Sequence, residues 1–65
     1  MIRTQDLKAE IVRNNMTQRD MANILGVTPR TFYARMKKGK FGSDDIKKMI
    51  DTLHIDNPKD IFFAD

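Results

Sequence analysis

Sixty-five residues, a formal net charge of +3 and no cysteine exclude a disulfide framework and thiolate metal sites, and the single histidine, His54, cannot build a zinc site by itself. A chain this short buries only about 60% of the surface its unfolded form exposes, so one compact core over residues 1–65, helped by self-association, is expected to carry the stability. No apolar run approaches the roughly 18 residues needed to span a bilayer, and the opening Met1 to Asp6 lacks a signal-peptide core, so a soluble cytoplasmic protein is expected.

Read along the chain, the punctuation predicts five short helices and almost nothing that favours strands. Thr4 is a candidate N-cap, with Leu7, Ile11 and Val12 at helical spacing and an end near Asn14 and Asn15, a pair suited to a tight turn. Thr17 is the next cap candidate, and Met21, Ile24 and Leu25 repeat the pattern that lines one helix face. Gly26 stops this helix, because glycine enters the left-handed region at low cost. Thr28 followed by Pro29 restarts the chain as a third helix to Lys38, with proline where its missing N–H is no loss. Gly39, Lys40, Phe41 and Gly42 then read as a loop whose Phe41 turns inward. Ser43 is expected to cap a fourth helix with Asp44 and Asp45 in its first turn and Ile46, Met49, Ile50 and Leu53 as its core stripe, closed by Ile55. Asn57 and Pro58 open a short last helix running toward Phe62 and Phe63.

Charge is distributed unevenly. From Met21 through Ser43 there is no Asp or Glu, yet Arg30, Arg35, Lys37, Lys38 and Lys40 all fall there. Beyond it, Asp44, Asp45, Asp51, Asp56, Asp60 and Asp65 outnumber Lys47, Lys48 and Lys59. Such polarity turns a basic middle toward a polyanion and an acidic tail away from it. Ala22 falls where a second helix would cross closely, and Met21, Leu25, Val27, Phe32 and Met36 fall on the faces that pack two helices together. What remains on the outside of the third helix is Thr28, Arg30, Thr31, Tyr33, Ala34 and Lys37. A face of donors and cations on one rod suits the DNA major groove, about 12 Å wide, which admits one helix.

These residues resemble the lambda repressor-like, Cro and XRE class of helix-turn-helix proteins, above all small phage regulators. The resemblance lies in Thr17-Gln18, Met21-Ala22, Leu25 to Thr28, Thr31 to Tyr33, Met36 to Lys40, the fourth helix opening at Ser43, and Asn57 to Phe63, in that order and spacing. It implies an all-α bundle of about five helices whose second and third form the DNA reader, and a transcriptional regulator that occupies operator sites. Two departures stand out: the stretch from Arg35 to Gly39 runs one residue longer than in many relatives, and Ala34 stands where many carry a polar or basic residue.

The resemblance also implies a phosphate contact for Gln18, set against plain capping beside Thr17. Arg30 and Tyr33 are the expected base readers; the alternatives are a phosphate contact for Arg30 and packing at the core edge for Tyr33. Thr28 and Thr31 divide between capping and DNA contact, and Ala34 between a thymine methyl and simple clearance. Lys37, Lys38 and Lys40 suit phosphate anchoring. Arg35 faces either the DNA backbone or a carboxylate of the fold. Met21, Met36 and Met49 fall at core spacing, as gap fillers.

Ile61, Phe62 and Phe63 place two adjacent aromatics near the C-terminus, of which at most one readily joins a core, so a two-fold homodimer through this segment is expected, set against both phenylalanines closing the bundle from below. No catalytic Ser, His and acid set and no phosphate-cradling loop is legible, so neither an enzyme nor a cofactor or small-molecule ligand is expected. The competing expectation is a helix-turn-helix adaptor, of antirepressor or antitoxin-like kind, that binds protein rather than DNA.

Overall fold

The computed structural model describes residues 2–63. They form five α-helices: α1 (Thr4–Arg13), α2 (Gln18–Leu25), α3 (Pro29–Lys38), α4 (Ser43–Leu53) and α5 (Pro58–Phe62), with no strand among the described residues. The all-α bundle expected from the punctuation is the one observed. Among the described residues no helix is long and apolar enough to cross a membrane.

Two hydroxyl caps set the starts of the central helices. Thr17 is extended, its Oγ1 accepts the Asp20 N–H at 3.0 Å, and the Thr17 N–H donates to Asp20 Oδ2 at 2.9 Å. That reciprocal box satisfies two donors that the helix end would otherwise leave without partners. Thr28, also extended, accepts the Thr31 N–H at 3.1 Å, with Pro29 in the first turn. At two other starts the structure corrects the sequence. Ser43 and Thr4 are first helical residues rather than caps; Gly42 and Arg3 hold the cap positions, neither with a side-chain hydrogen bond. Asn57 does sit at the cap of α5, but its side chain makes no capping bond.

The first four helices end by one device. Asn15 (φ 59), Gly26 (φ 74), Gly39 (φ 69) and His54 (φ 52) take the left-handed conformation. The next residue's N–H then reaches back five positions: Met16 to the Ile11 carbonyl at 3.1 Å, Val27 to Ala22 at 3.0 Å, Lys40 to Arg35 at 3.1 Å, and Ile55 to Ile50 at 3.1 Å. In this closure a hydrophobic residue after the turn packs back on the helix it ends. Met16 and Val27 are partly buried against the core and Ile55 is buried, so three of the reversals each deliver an apolar side chain inward.

The core gathers Leu7 and Ile11 from α1, Met21 and Ala22 from α2, Phe32 and Met36 from α3, Met49 and Leu53 from α4, and Ile61 and Phe62 from α5, together with Ile2 and Ile55. Phe32 is fully buried, and Phe41 lies half-buried against it with ring centroids 5.5 Å apart. Val12 is a correction: expected in the α1 stripe, it is 70% exposed. Leu7 and Ile11, four residues apart, take the core face, and the next residue is rotated about 100° away from it. Ile24 is likewise exposed. Two long-range ties had no sequence signal. The Arg3 N–H donates to the Ile61 carbonyl at 2.7 Å, laying Ile2 onto the core, and Asn14 Nδ2 donates to the Leu53 carbonyl at 3.2 Å, joining the ends of α1 and α4.

The left-handed turns make a paired prediction. A Cβ at Gly26 would have nothing within 4 Å, so Gly26→Ala should lower the unfolding free energy by about 1 kcal/mol through backbone conformation alone. His54→Gly relieves the same penalty at a residue that already carries a side chain and should raise stability by up to about 1 kcal/mol. Urea denaturation of both variants checks the pair; a less stable His54→Gly would mean that the imidazole holds the bundle and that the turn does not limit it.

Candidate nucleic-acid interface

Gly26, Val27 and Thr28 join α2 to α3, and this helix pair is the most closely packed in the bundle. Ala22 is completely buried, which lets the two backbones approach. Burial divides α3 lengthwise into strips. Phe32 and Met36 point into the core, and Arg35, beside them, donates to Asp45 Oδ2 of α4 at 2.7 Å. Arg35 is thereby engaged with a carboxylate of the fold, the second of its two expected roles. Arg30, Ala34 and Lys38, spaced at i, i+4 and i+8, are exposed and make one outward strip. Tyr33 and Lys37, also four apart, form another strip on the side away from Arg35.

The hydroxyls at the head of α3 are already occupied in part. Thr28 Oγ1 accepts the Thr31 N–H and lies 3.0 Å from Thr31 Oγ1, so its role in the fold is capping. Thr31 is half-buried, in contrast to the exposed Arg30 and Ala34. Among the described residues the ion pairs are Arg3 with Asp6, Arg13 with Glu10, and Arg35 with Asp45. Arg30, Lys37, Lys38 and Lys40 therefore have no carboxylate partner among the described residues, and all four are exposed. Like charges kept together without internal counterions raise the positive potential of this end of the molecule.

Tyr33 is 48% exposed, with its ring edge-on to Phe32 at a centroid distance of 6.4 Å. It thus packs at the core margin while its outer edge reaches solvent. Gln18, the first residue of α2, is half-buried in a shallow cleft of about 420 Å³ between α1, α2 and α3. Tyr33 and Lys37 line the same cleft, and so do Thr4 and Lys8 of α1. The sequence reading missed these last two. Nothing in the α1 sequence distinguishes Lys8 from an ordinary solvated lysine; only the packing of α1 on α2, which in turn packs on α3, brings it to this surface.

In the C-terminal segment one of the two adjacent aromatics joins the core, as expected, and the other stays outside. Ile61 and Phe62 are buried in the bundle, so they supply no surface to a second copy, and of the three proposed contact residues only Phe63 is exposed, at 59%. Buried in this way, the two residues close the core from the α5 side, where α5 also packs on α1. Phe63 itself lines a shallow apolar groove of about 410 Å³ together with Phe41, Ile46 and Ile50, to which Ser43 and Lys47 also contribute. Asp65, counted in the acidic tail, lies outside the described residues.

Compared with known protein families, curated proteins and solved structures, the chain has no match.

Proposed function

We propose that this protein is a sequence-specific double-stranded DNA-binding transcriptional regulator of the lambda repressor-like helix-turn-helix kind, with α3 as its reader. The observation that carries the proposal is the outward strip of Arg30, Ala34 and Lys38 on a helix whose cations, apart from Arg35, have no carboxylate partner among the described residues. In a major groove about 12 Å wide, the Arg30 guanidinium has the fork geometry to donate to guanine O6 and N7 together, a contact that discriminates by about 1–3 kcal/mol. Ala34, with only a methyl group, lets the helix axis come close to the base edges. Lys37, Lys38 and Lys40 act on phosphates, which hold the rod in register without reading sequence. Occupying an operator is enough to block polymerase, so repression needs no further activity of the chain. The protein acts in the compartment that holds the DNA, the bacterial cytoplasm for a phage-type regulator, and this mode of action calls for no cofactor.

A second copy of the chain completes the proposal. An isologous two-fold contact needs a surface that is its own complement. Phe63, exposed and lining one apolar groove with Phe41, Ile46 and Ile50, gives such a surface, so two copies can cover the same apolar face of each other. A pair so formed would present two α3 helices to half-sites about 34–36 Å apart on a near-palindromic operator. Phe63→Asp should turn a dimer into a monomer in sedimentation velocity; a variant that sediments as its dimeric parent does removes the second copy from the proposal.

Selection of bound sites from random duplex DNA supplies the probe for the reader helix. Against the selected site, Arg30→Ala should lose about 1–3 kcal/mol of preference at the guanine it reads, while Lys38→Ala should weaken every sequence alike. Mobility shifts at two salt concentrations measure both effects. Unchanged affinity and selectivity in both variants would place the interface elsewhere, and association that ignores salt would favour the protein-binding adaptor.

A further inference from the structure

We propose that the cleft between α1, α2 and α3 is a seat for one backbone phosphodiester of the same duplex whose groove receives α3, with Lys8 of α1 as its principal new contact. This rests on the DNA-binding proposal above and extends the interface to a helix outside the α2–α3 pair.

The cleft is lined by Thr4, Lys8, Gln18, Tyr33, Met36 and Lys37. Its polar groups are two ammoniums, one carboxamide and two hydroxyls, and no carboxylate lines it among the described residues. Met36, nearly fully buried, forms an apolar floor that brings no competing acceptor apart from a weak thioether. Donors converging from three separate helices, with nothing acidic among them, match an oxyanion better than a cation, a sugar or an apolar group. Gln18 adds the positive end of the α2 dipole. Its capping box engages the N–H groups of Thr17 and Asp20, and the first-turn N–H groups of Gln18 and Arg19 have no acceptor within the helix.

Helix α1 sorts its charges toward this side. Asp6 and Glu10 lie four residues apart on one face and are paired with Arg3 and Arg13, whereas Lys8 is rotated about 160° from either. Thr4 and Lys8, again four apart, share the face turned to the cleft. The acidic groups of α1 therefore do not neutralise Lys8. On the opposite wall, Tyr33 and Lys37 flank the outward strip of Arg30, Ala34 and Lys38. A phosphate strand running along the edge of a groove filled by that strip passes over this flank, so the cleft takes DNA backbone. Tyr33 then belongs to the phosphate side rather than to the base readers, with its hydroxyl donating to the phosphodiester.

The test is a set of binding isotherms on duplex DNA, operator and non-operator, across a range of salt. Lys8→Gln should lower affinity for both duplexes by the same factor, roughly three- to tenfold, and should reduce the slope of log K against log salt by about 0.9, the signature of one lost phosphate contact. Lys37→Gln, at an exposed position on the opposite wall, should repeat the effect, and Lys8→Arg should restore it. Lys59→Gln, on α5 and outside the cleft, should change neither quantity. Tyr33→Phe should weaken both duplexes equally with base preference intact. Far-ultraviolet circular dichroism and urea midpoints confirm that each variant keeps its fold. If wild type binds duplex DNA while Lys8→Gln keeps both affinity and slope, the seat is wrong and the reader helix survives. Altered base preference in Tyr33→Phe would return that residue to the groove. Failure of the wild-type protein to bind any duplex at low salt would overturn the seat and the reader together.

Discussion

Phe32 and Met36 stand one helical turn apart on α3, and burying both leaves that helix no freedom to roll about its axis. Phe32 has no accessible surface and touches the Phe41 ring, and Met36 is nearly as enclosed. Removing a buried phenylalanine from a core costs about 3–5 kcal/mol, a large part of what a domain of this size has. The rotational setting of α3 is therefore as firm as the core itself. With those two side chains inward, Arg30, Ala34 and Lys38 have no direction but outward, Tyr33 and Lys37 fall to one flank, and Arg35 falls to the other, where Asp45 receives it. The proposed chemistry of the surface is thus a consequence of packing on the opposite side of one helix.

The turn before α3 serves the same end. Gly26 in the left-handed region ends α2 after two turns of helix, and Val27 folds back on the Ala22 carbonyl while its side chain joins the core margin. Thr28 then captures the Thr31 N–H and restarts the chain in a new direction. Reversal, core contribution and restart are compressed into three residues. Asn15 and His54 make the same reversal without glycine, which asparagine and histidine tolerate better than most residues. A chain with so little interior gains from turns that each supply an apolar side chain.

Concentrated positive charge on α3 and the following loop opposes compactness, since Arg30, Lys37, Lys38 and Lys40 repel one another with no acid among them. The Arg35–Asp45 pair ties the basic helix to the first turn of α4, at 2.7 Å and partly shielded from water. A polyanion laid across the remaining cations would relieve the repulsion from outside. Stability and the proposed function are coupled here through charge: the feature that costs the free protein is the one a duplex would reward.

The amino-acid sequence determined the five helices, their order and most of their ends, because periodic apolar spacing, hydroxyl caps, glycines and prolines act within a few residues of where they stand. It also marked the acid-free stretch and the cations on α3, since composition needs no fold to be seen. Local rules slipped by a residue at Ser43 and Thr4, where the cap position passed to Gly42 and Arg3. They also overcounted Val12 and Ile24, because periodicity gives the width of a stripe only approximately and the neighbouring helices decide how much of it is covered. Tertiary structure alone settled the rest. It sent Ile61 and Phe62 into the core and left Phe63 outside, paired Arg35 across ten positions with Asp45, and carried Lys8 to the side of Gln18, Tyr33 and Lys37. Each of these joins residues that are distant along the chain. Which of two adjacent side chains is buried, or which carboxylate an arginine meets, depends on where a second helix lies, and no local pattern encodes that position.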